Sequence, residues 1–298
     1  MLINSTTLRS LYTGFSTVFQ AGFTGVAPTY ARVATVVPST TRSNEYGWMG
    51  EIPRVREWLG DRVVQNLGTS DYTIKNRKFE LTVGVKADDI EDDNLGIYTP
   101  MFSELGRAAA SFPDELVWPA LAAGFTTKCY DGQYFFDTDH PVIGADGVTI
   151  GSVSNSGGGA GAPWFLLDIS RALKPLIWQT RKPLSNLVRL DRDTDANMFF
   201  EGKAVYGVDG RCNVGYGLWQ LAYGSKQTLD AAAYEAARVA MTSMKGDHGR
   251  PLGILPKLLV VGPTLEGAAL DIVGTKTLPA GGDNKWYGTA EVLVCPWL

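Results

Sequence analysis

Apolar side chains recur at helical spacing near the start of the chain. Three hydroxyl residues, Ser5 to Thr7, precede the pattern, and such residues commonly cap the first turn of a helix. Positions three and four residues apart fall on one face of a helix. The segment is therefore predicted to be an amphipathic helix with the apolar positions Leu8, Leu11, Phe15, Val18 and Phe19.

The stretch from Gly22 to Gly50 shows neither a period of two nor one of 3.6 residues. It is rich in Gly, Pro, Ser and Thr and carries scattered aromatic residues such as Tyr30 and Trp48. An unpatterned stretch of this length is uncommon inside a compact domain. We expect an extended arm that lies on another surface, and a floppy N terminus is the alternative.

Two β-prone runs, 62–67 and 72–74, flank the turn-rich residues 68–71 and predict a hairpin. Apolar and polar residues then alternate from Phe79 to Val85, as in a half-buried strand. The acidic run 88–93 that follows lacks the ligand spacing of a calcium-binding loop. It is interpreted as a solvated helix start.

The longest helix is predicted over residues 99–123. Pro100 suits a first helical turn, and apolar residues at helical spacing continue until Gly124. Pro113 and Pro119 lie inside this pattern and predict a kink or break near Phe112.

The second half reads as a mixture of strands and helices, so the fold class is α+β. The Gly-rich residues 152–163 predict a flexible loop, and residues 198–206 and 215–223 predict two strands of an antiparallel meander joined through 207–210. A helix is expected from Thr228 to Met244, a buried strand over 257–261, a helix from Pro263 and a last strand over 291–295.

Composition narrows the functional classes. The chain has 298 residues, of which 19% are charged against roughly 25% in a usual soluble domain, and its net charge is −4. A dedicated nucleic-acid binder is therefore disfavoured. No apolar run approaches the roughly 20 residues needed to span a bilayer. Three widely spaced cysteines, Cys129, Cys212 and Cys295, provide no zinc motif and no paired disulfide framework, which fits a reducing compartment.

Two groups of side chains offer rival chemistry. Asp137, Asp139 and His140 could bind a divalent metal in a hydrolase, but they precede a proline on a loop, and a loop-organising role is favoured. A basic group beside Trp178 could contact a phosphate backbone, but a subunit contact or solvated surface is favoured. This basic group consists of Arg171, Lys174, Arg181 and Lys182.

A series of motifs, in order from about Leu8 to Leu298, resembles one protein family. The motifs are GDRVVQNL, DYTIKN, FELTVGV, DDIEDD, PMFSELGRAAA, PDELV, CYDGQYFFDTDHPV, WFLLDISRALKPLIWQ, GLWQLAYGSKQ and RPLGILPKLLVVGPTLEGAA. With these motifs the chain is similar to the major head subunit family of Mu-like phages and prophages, the T gene product family.

The resemblance implies a major capsid protein with the Hong Kong 97-type phage capsid fold and no enzymatic activity. That fold has an N-terminal arm, a β-hairpin called the E-loop, a peripheral domain built on a long spine helix, and an axial domain. Here the resemblance places the arm at 1–50, the E-loop region at 51–86, the peripheral domain at 87–130 and 164–226, and the axial domain at 131–163 and 227–298. The meander precedes the portion that resembles an axial domain, which implies a reordered topology.

As the resemblance implies, the subunits would form pentameric and hexameric capsomers of an icosahedral shell around double-stranded DNA, without sequence-specific binding and without a membrane. Assembly in the host bacterial cytoplasm would involve a scaffold, a head protease, a portal and decoration proteins, and no cofactor or metal. An arm and a projecting hairpin cannot bury their apolar residues in one compact fold, so contacts with neighbouring subunits are expected. The expected contact residues are Leu8, Leu11, Phe15, Val18, Phe19, Tyr30, Trp48, Val63, Leu67, Tyr72 and Ile74.

Overall fold

Two five-stranded β-sheets organise the chain in the computed structural model, which describes residues 4–47, 72–92, 95–192, 194–278 and 281–298. Helices pack on both sheets, so the α+β class is confirmed. The helices of the described residues are α1 (Ser5–Thr24), α2 (Ala87–Glu91), α3 (Tyr98–Ala122), α4 (Ala196–Glu201), α5 (Ala231–Thr242) and α6 (Glu266–Ala269).

The strands alternate with these helices along the chain. They are β1 (Ala34–Pro38), β2 (Ser43–Glu45), β3 (Thr73–Lys75), β4 (Arg77–Lys86), β5 (His140–Ile143), β6 (Ile150–Val153), β7 (Ser156–Gly159), β8 (Trp164–Leu167), β9 (Leu176–Lys182), β10 (Val188–Leu190), β11 (Lys203–Tyr216), β12 (Ala222–Lys226), β13 (Leu258–Val261) and β14 (Glu291–Val294).

The first sheet has the order β1–β9–β11–β10, and β4 also pairs with β11. Strand β11 runs antiparallel to β4 from Lys203 opposite Lys86 to Cys212 opposite Arg77, and its second half pairs with β9. Alternation along β4 turns Val85 inward, where it is fully buried, while Lys86 is exposed. The half-buried strand predicted over these residues is thus confirmed.

The second sheet has the order β14–β13–β8–β12–β7. Its central strands β8 and β13 are buried along their whole length, as expected for strands covered on both faces. Helix α5 begins after Asp230, whose carboxylate accepts a hydrogen bond from the main-chain N–H of Ala233 at 2.8 Å. The predicted elements at Thr228–Met244, 257–261, Pro263 and 291–295 are confirmed within a few residues.

Helices α1 and α3 approach closely at two glycines. A Cβ atom at Gly106 would lie 2.1 Å from the carbonyl oxygen of Phe19, and one at Gly22 would lie 2.1 Å from that of Ser103. Larger side chains would therefore force the two helices apart. This contact holds α1 against the longest helix and, through it, against the first sheet.

Helix α3 has 25 residues and continues through both internal prolines. Of the kink or break expected near Phe112, the break does not occur. Each proline removes one main-chain hydrogen bond, but Val117, Trp118 and Leu121 are fully buried on the same helix. Burial of these large side chains offsets the loss.

The segment after α1 is bound to its own subunit, contrary to the prediction of an arm that lies on another surface. Strand β1 pairs in parallel with β9, from Ala34 opposite Leu176 to Pro38 opposite Thr180. Asp114 of α3 accepts hydrogen bonds from the main-chain N–H groups of Thr29 and Tyr30, which precede β1. The sequence did not predict these contacts, because a five-residue strand at a sheet edge shows little periodicity of apolar and polar residues.

Two further predictions are corrected. The Gly-rich segment contains the end of β6 and the whole of β7. Strand β7 forms because Gly157 lets it approach Ser225, whose Oγ would lie 2.6 Å from a Cβ atom at that glycine. The expected meander does not form. Residues 203–216 are one strand, β11, of 14 residues, because 207–210 continues the ladder instead of turning, while the start of the first predicted strand lies in α4 and the end of the second in β12. The predicted hairpin at 62–74 lies outside the described residues up to residue 71, and its last part forms β3, which pairs with β2.

Candidate functional site

A buried polar cluster lies under the turn between Cys129 and Gln133. The Sγ atom of Cys129 lies 3.0 Å from Oδ1 of Asp131, and Nδ1 of His140 lies 2.6 Å from Oδ2 of the same carboxylate. Gln133 donates its main-chain N–H to Asp131. Gly132 has a φ of +87°, a backbone conformation that favours glycine in such a turn.

Asn155 fixes the opposite side of the histidine ring. Its Nδ2 donates to the carbonyl oxygens of Phe135, Trp219 and Ala222, so its Oδ1 is the acceptor facing Nε2 of His140 at 3.2 Å. Nε2 therefore carries a hydrogen. The imidazole also stacks on Trp219 with a ring separation of 3.9 Å and is fully buried.

The electrostatics of the cluster indicate a structural role. Burial would raise the pKa of Asp131, but hydrogen bonds from His140 and Cys129 outweigh burial and hold that pKa below its ordinary value. Burial, together with the Asp131 charge, raises the pKa of the Cys129 thiol. A thiol kept protonated is a poor nucleophile.

Ligand atoms of Cys129, Asp131 and His140 lie within 4.8 Å of one another, so these residues form the one group of the described residues that could hold a metal ion.

The predicted trio Asp137, Asp139 and His140 does not converge on one point. Both ring nitrogens of His140 face Asp131 and Asn155. Asp137 accepts hydrogen bonds from main-chain N–H groups on either side of it, and Asp139 is exposed. A loop-organising role is thus confirmed for Asp137 and His140.

Three of the four side chains of the basic group are engaged within their own subunit. Arg171 and Lys174 donate to main-chain carbonyl groups, and Lys182 pairs with a carboxylate on β11. Trp178 is buried at 4% exposure, while Arg181 is exposed. Since the aromatic ring is covered, it is not available to stack on a nucleotide.

The apolar stripe of α1 packs on its own chain, which corrects part of the predicted contact set. Leu8, Phe15 and Phe19 are at most 5% exposed and contact α3 and the first sheet. The expectation that these side chains stay uncovered until a neighbour arrives is wrong for them, because α3 and the first sheet cover them. Leu11 and Val18 are partly buried in the same cluster.

Residues beside β3 are also covered within the subunit. Ile74 is 3% exposed, against Tyr46 and Ile177, so it too is wrong as a predicted neighbour contact. The hydroxyl of Tyr72 accepts the main-chain N–H of Tyr216 at 2.8 Å, and burial raises the pKa of Tyr72 to about 12. Trp48, Val63 and Leu67 lie outside the described residues.

An apolar cavity of about 260 Å³ opens between the end of α1, the middle of α3 and the first sheet. Its lining includes Phe23, Tyr30, Ala110 and Trp178. Tyr30 remains partly exposed there, with its ring centroid 5.5 Å from that of Trp178. Sequence patterns missed this cavity because its walls come from four separate segments.

The described helices include none with the length and apolar character needed to cross a bilayer.

Comparison with known proteins gives a consistent picture. Residues 8–298 match the model of the family described as Mu-like prophage major head subunit gpT. The chain is 44% identical over 272 residues to the Mu-like prophage FluMu major head subunit of Haemophilus influenzae, covering 89% of the chain and 88% of that protein. It is 39% identical to the major capsid protein of Escherichia phage Mu, with both chains covered completely.

Solved structures agree with these relatives. A chain of the bacteriophage JBD30 procapsid superposes with a TM-score of 0.88 at 46% identity, covering 99% of this chain and 100% of that one. A chain of the JBD30 capsid decorated with minor capsid protein trimers superposes with a TM-score of 0.77 at 38% identity, with 93% of each chain covered.

Proposed function

Because the chain belongs to the Mu-like prophage major head subunit family, it is a structural protein of the virion capsid and not an enzyme, and we propose how its parts act in the shell. The match over residues 8–298 carries this conclusion. The fold is that of a phage capsid subunit, and such subunits self-assemble.

We assign the first sheet with α1 and α3 to a peripheral domain and the second sheet with α5 and α6 to an axial domain. Helix α3, at 98–122, would be the spine helix. Strands β8 and β12 pair within the second sheet, which supports moving 164–167 and 222–226 into the axial domain. Strand β1 supports placing residues 34–38 in the peripheral domain. The E-loop would occupy the segment before β3.

The shell would consist of pentameric and hexameric capsomers that enclose double-stranded DNA. The net charge of −4 supports enclosure without tight, sequence-specific binding. Assembly would take place in the host cytoplasm with a scaffold, a head protease and a portal. A decoration protein is proposed because the JBD30 capsid, whose subunit is 38% identical, is described with minor capsid protein trimers.

Electron microscopy tests the proposal directly. The purified chain, alone and after co-expression with the head genes of its phage, should yield rings or shells. The matched control is the Phe15→Asp variant, which should fail to fold stably because Phe15 is buried. Wild-type protein that remains monomeric in both preparations would contradict the proposal.

A deletion tests the proposed E-loop. Removal of Leu67 to Asp71 keeps every described helix and strand, so we expect a folded subunit, with an unchanged thermal midpoint, that makes no shells. Replacement of the same residues by a Gly-Ser linker of equal length is the control for chain length. Normal shells from the deletion variant would refute the assignment.

The metal-dependent hydrolase is not supported. Asp137, Asp139 and His140 do not form a common site, and the family is structural.

A further inference from the structure

An exposed apolar surface lies at one edge of the first sheet. We name it the Phe199 patch, defined by Val188 and Leu190 of β10 and by Phe199 and Phe200 of α4. Val188 and Leu190 are 54% and 55% exposed, and the two phenylalanines are 78% and 80% exposed. Large apolar side chains grouped this way mark interaction surfaces more often than scattered single ones do.

The register of β10 places Val188 and Leu190, the strand residues of the patch, on the face of the sheet opposite to α1. Leu190 lies opposite Val205. Arg189, between Val188 and Leu190 in sequence, turns to the other face, where its guanidinium lies 4.7 Å from the ring of Tyr12. Alternation along the strand then directs Val188 and Leu190 away from the helices. No helix of the described chain covers them, as their exposure shows.

The two phenylalanines are presented by an anchored helix. Asn197 donates to the carbonyl oxygens of Leu190 and Lys203, which ties α4 to both flanking strands. Met198 points inward and contacts the cluster of α1, α3 and the first sheet. The rings of Phe199 and Phe200 meet edge to face at 5.1 Å. They are held outward on a fixed support, which lowers the entropic cost of docking.

The size of the patch limits its occupant. Its exposed apolar surface amounts to roughly 500 Å², below the roughly 800 Å² per partner of a stable binary complex. One such contact would leave the free subunit monomeric. Many copies acting together in a closed assembly would bind firmly, because each contact after the first is intramolecular. This is the behaviour that a shell subunit requires.

The charged rim fits a second copy of the same chain. Arg192 and Lys203 lie beside the patch together with Asp195 and Glu201, so both signs of charge are present. A copy of this surface or its surroundings can oppose each charge with its opposite. A strongly basic or acidic partner would instead be repelled by half of the rim.

We propose that the Phe199 patch is a contact between copies of this chain in the assembled shell, with Phe199 and Phe200 as its apolar anchors. This inference rests on the proposed shell function. It adds a contact that neither the periodicity of the sequence nor the expected arm and hairpin contacts had indicated.

Thiol labelling of Phe199→Cys and, separately, Leu190→Cys tests the proposal. The native cysteines give little background, since they are at most 5% exposed. Each new thiol should react at least tenfold more slowly in assembled particles than in free subunits. A short bifunctional thiol-to-amine cross-linker should join it to a peptide of another copy of this chain, identified by mass spectrometry.

Several results would overturn the inference. A thiol that stays fully reactive in particles, or one that cross-links to a different virion protein, excludes a contact between copies. Failure of the wild-type chain to form particles would instead contradict the proposed function, so the two failures are distinguishable.

A functional variant provides a second test. Phe199→Ser combined with Phe200→Ser should leave the thermal midpoint of the subunit unchanged, because both side chains are solvated, and reduce particle yield at least tenfold. Val148→Ser, at a position 84% exposed on the β5–β6 turn, is the matched control and should assemble normally. Normal yield from the double variant, or an equal loss in the control, would overturn the role of the patch.

Discussion

Replacing Phe15 by alanine should destabilise the isolated subunit, because the ring of Phe15 is part of its core. The ring stacks on Phe102 at 4.1 Å with an angle of 13° and meets Tyr206 edge to face at 5.5 Å. Truncating a buried phenylalanine to alanine costs about 3–5 kcal/mol. Such a loss is a large part of the roughly 5–15 kcal/mol by which domains are stable.

Equilibrium unfolding in urea, followed by tryptophan fluorescence and circular dichroism, measures this loss. Ser10→Ala on the same helix is the matched control. Ser10 is exposed, so its replacement should change the free energy of unfolding by less than about 0.5 kcal/mol. If Phe15→Ala loses less than about 1 kcal/mol while shells fail to form, α1 packs on a neighbour rather than on its own chain, and the reasoning is refuted.

Three further predictions concern glycine packing, acid stability and a buried carboxylate. Gly106→Ala should lower the free energy of unfolding in urea by several kcal/mol, because its Cβ would meet the carbonyl of Phe19. Gly14→Ala, with no atom within 4 Å, should instead stabilise α1 by up to about 1 kcal/mol. Equal effects of the two variants would refute the close helix contact. Asp131 has a lowered pKa in the folded state, so its contribution to stability is present above its ordinary pKa of 3.8 and is lost as the pH falls through the lowered pKa. The Asp131→Asn variant should therefore lose less stability than wild type between pH 6 and pH 3. Parallel curves of unfolding free energy against pH for the two proteins would contradict this. Asp114→Ala should lower the free energy of unfolding by about 2–4 kcal/mol, because two consecutive main-chain N–H groups lose the carboxylate that accepts their hydrogen bonds at 2.6 and 2.9 Å. That carboxylate belongs to a residue only 3% exposed. A thermal midpoint equal to that of wild type would exclude this role.

Strongly periodic elements could be predicted from the sequence. Helix α3 and strand β4 follow the expected ranges because their apolar positions repeat over many residues. Strand β1 and the single strand β11 could not, because pairing with distant β9 decides them rather than local pattern. A Gly-Val-Asp-Gly sequence resembles a turn locally, yet the ladder to β4 continues through it.

The residues of the buried polar cluster and of the Phe199 patch also differ in how far the sequence predicts them. His140 stands out by residue type, but its partners Asp131 and Asn155 lie 9 and 15 residues away, and only the fold brings them together. The sequence did not indicate that Phe199 and Phe200 are exposed, because two adjacent aromatic residues are more typical of a buried core. Their exposure follows from Asn197 and Met198, which fix the orientation of α4.

The burial of α1 also sets a limit on proteolytic processing. Asn4 accepts the main-chain N–H of Thr7 and so caps α1, and Leu8, 2% exposed, begins its buried stripe. A cut beyond Leu8 would remove part of the cluster that α1 forms with α3 and the first sheet. A proteolytic cut inside the helix would therefore dismantle the packing that keeps α1 on its own subunit.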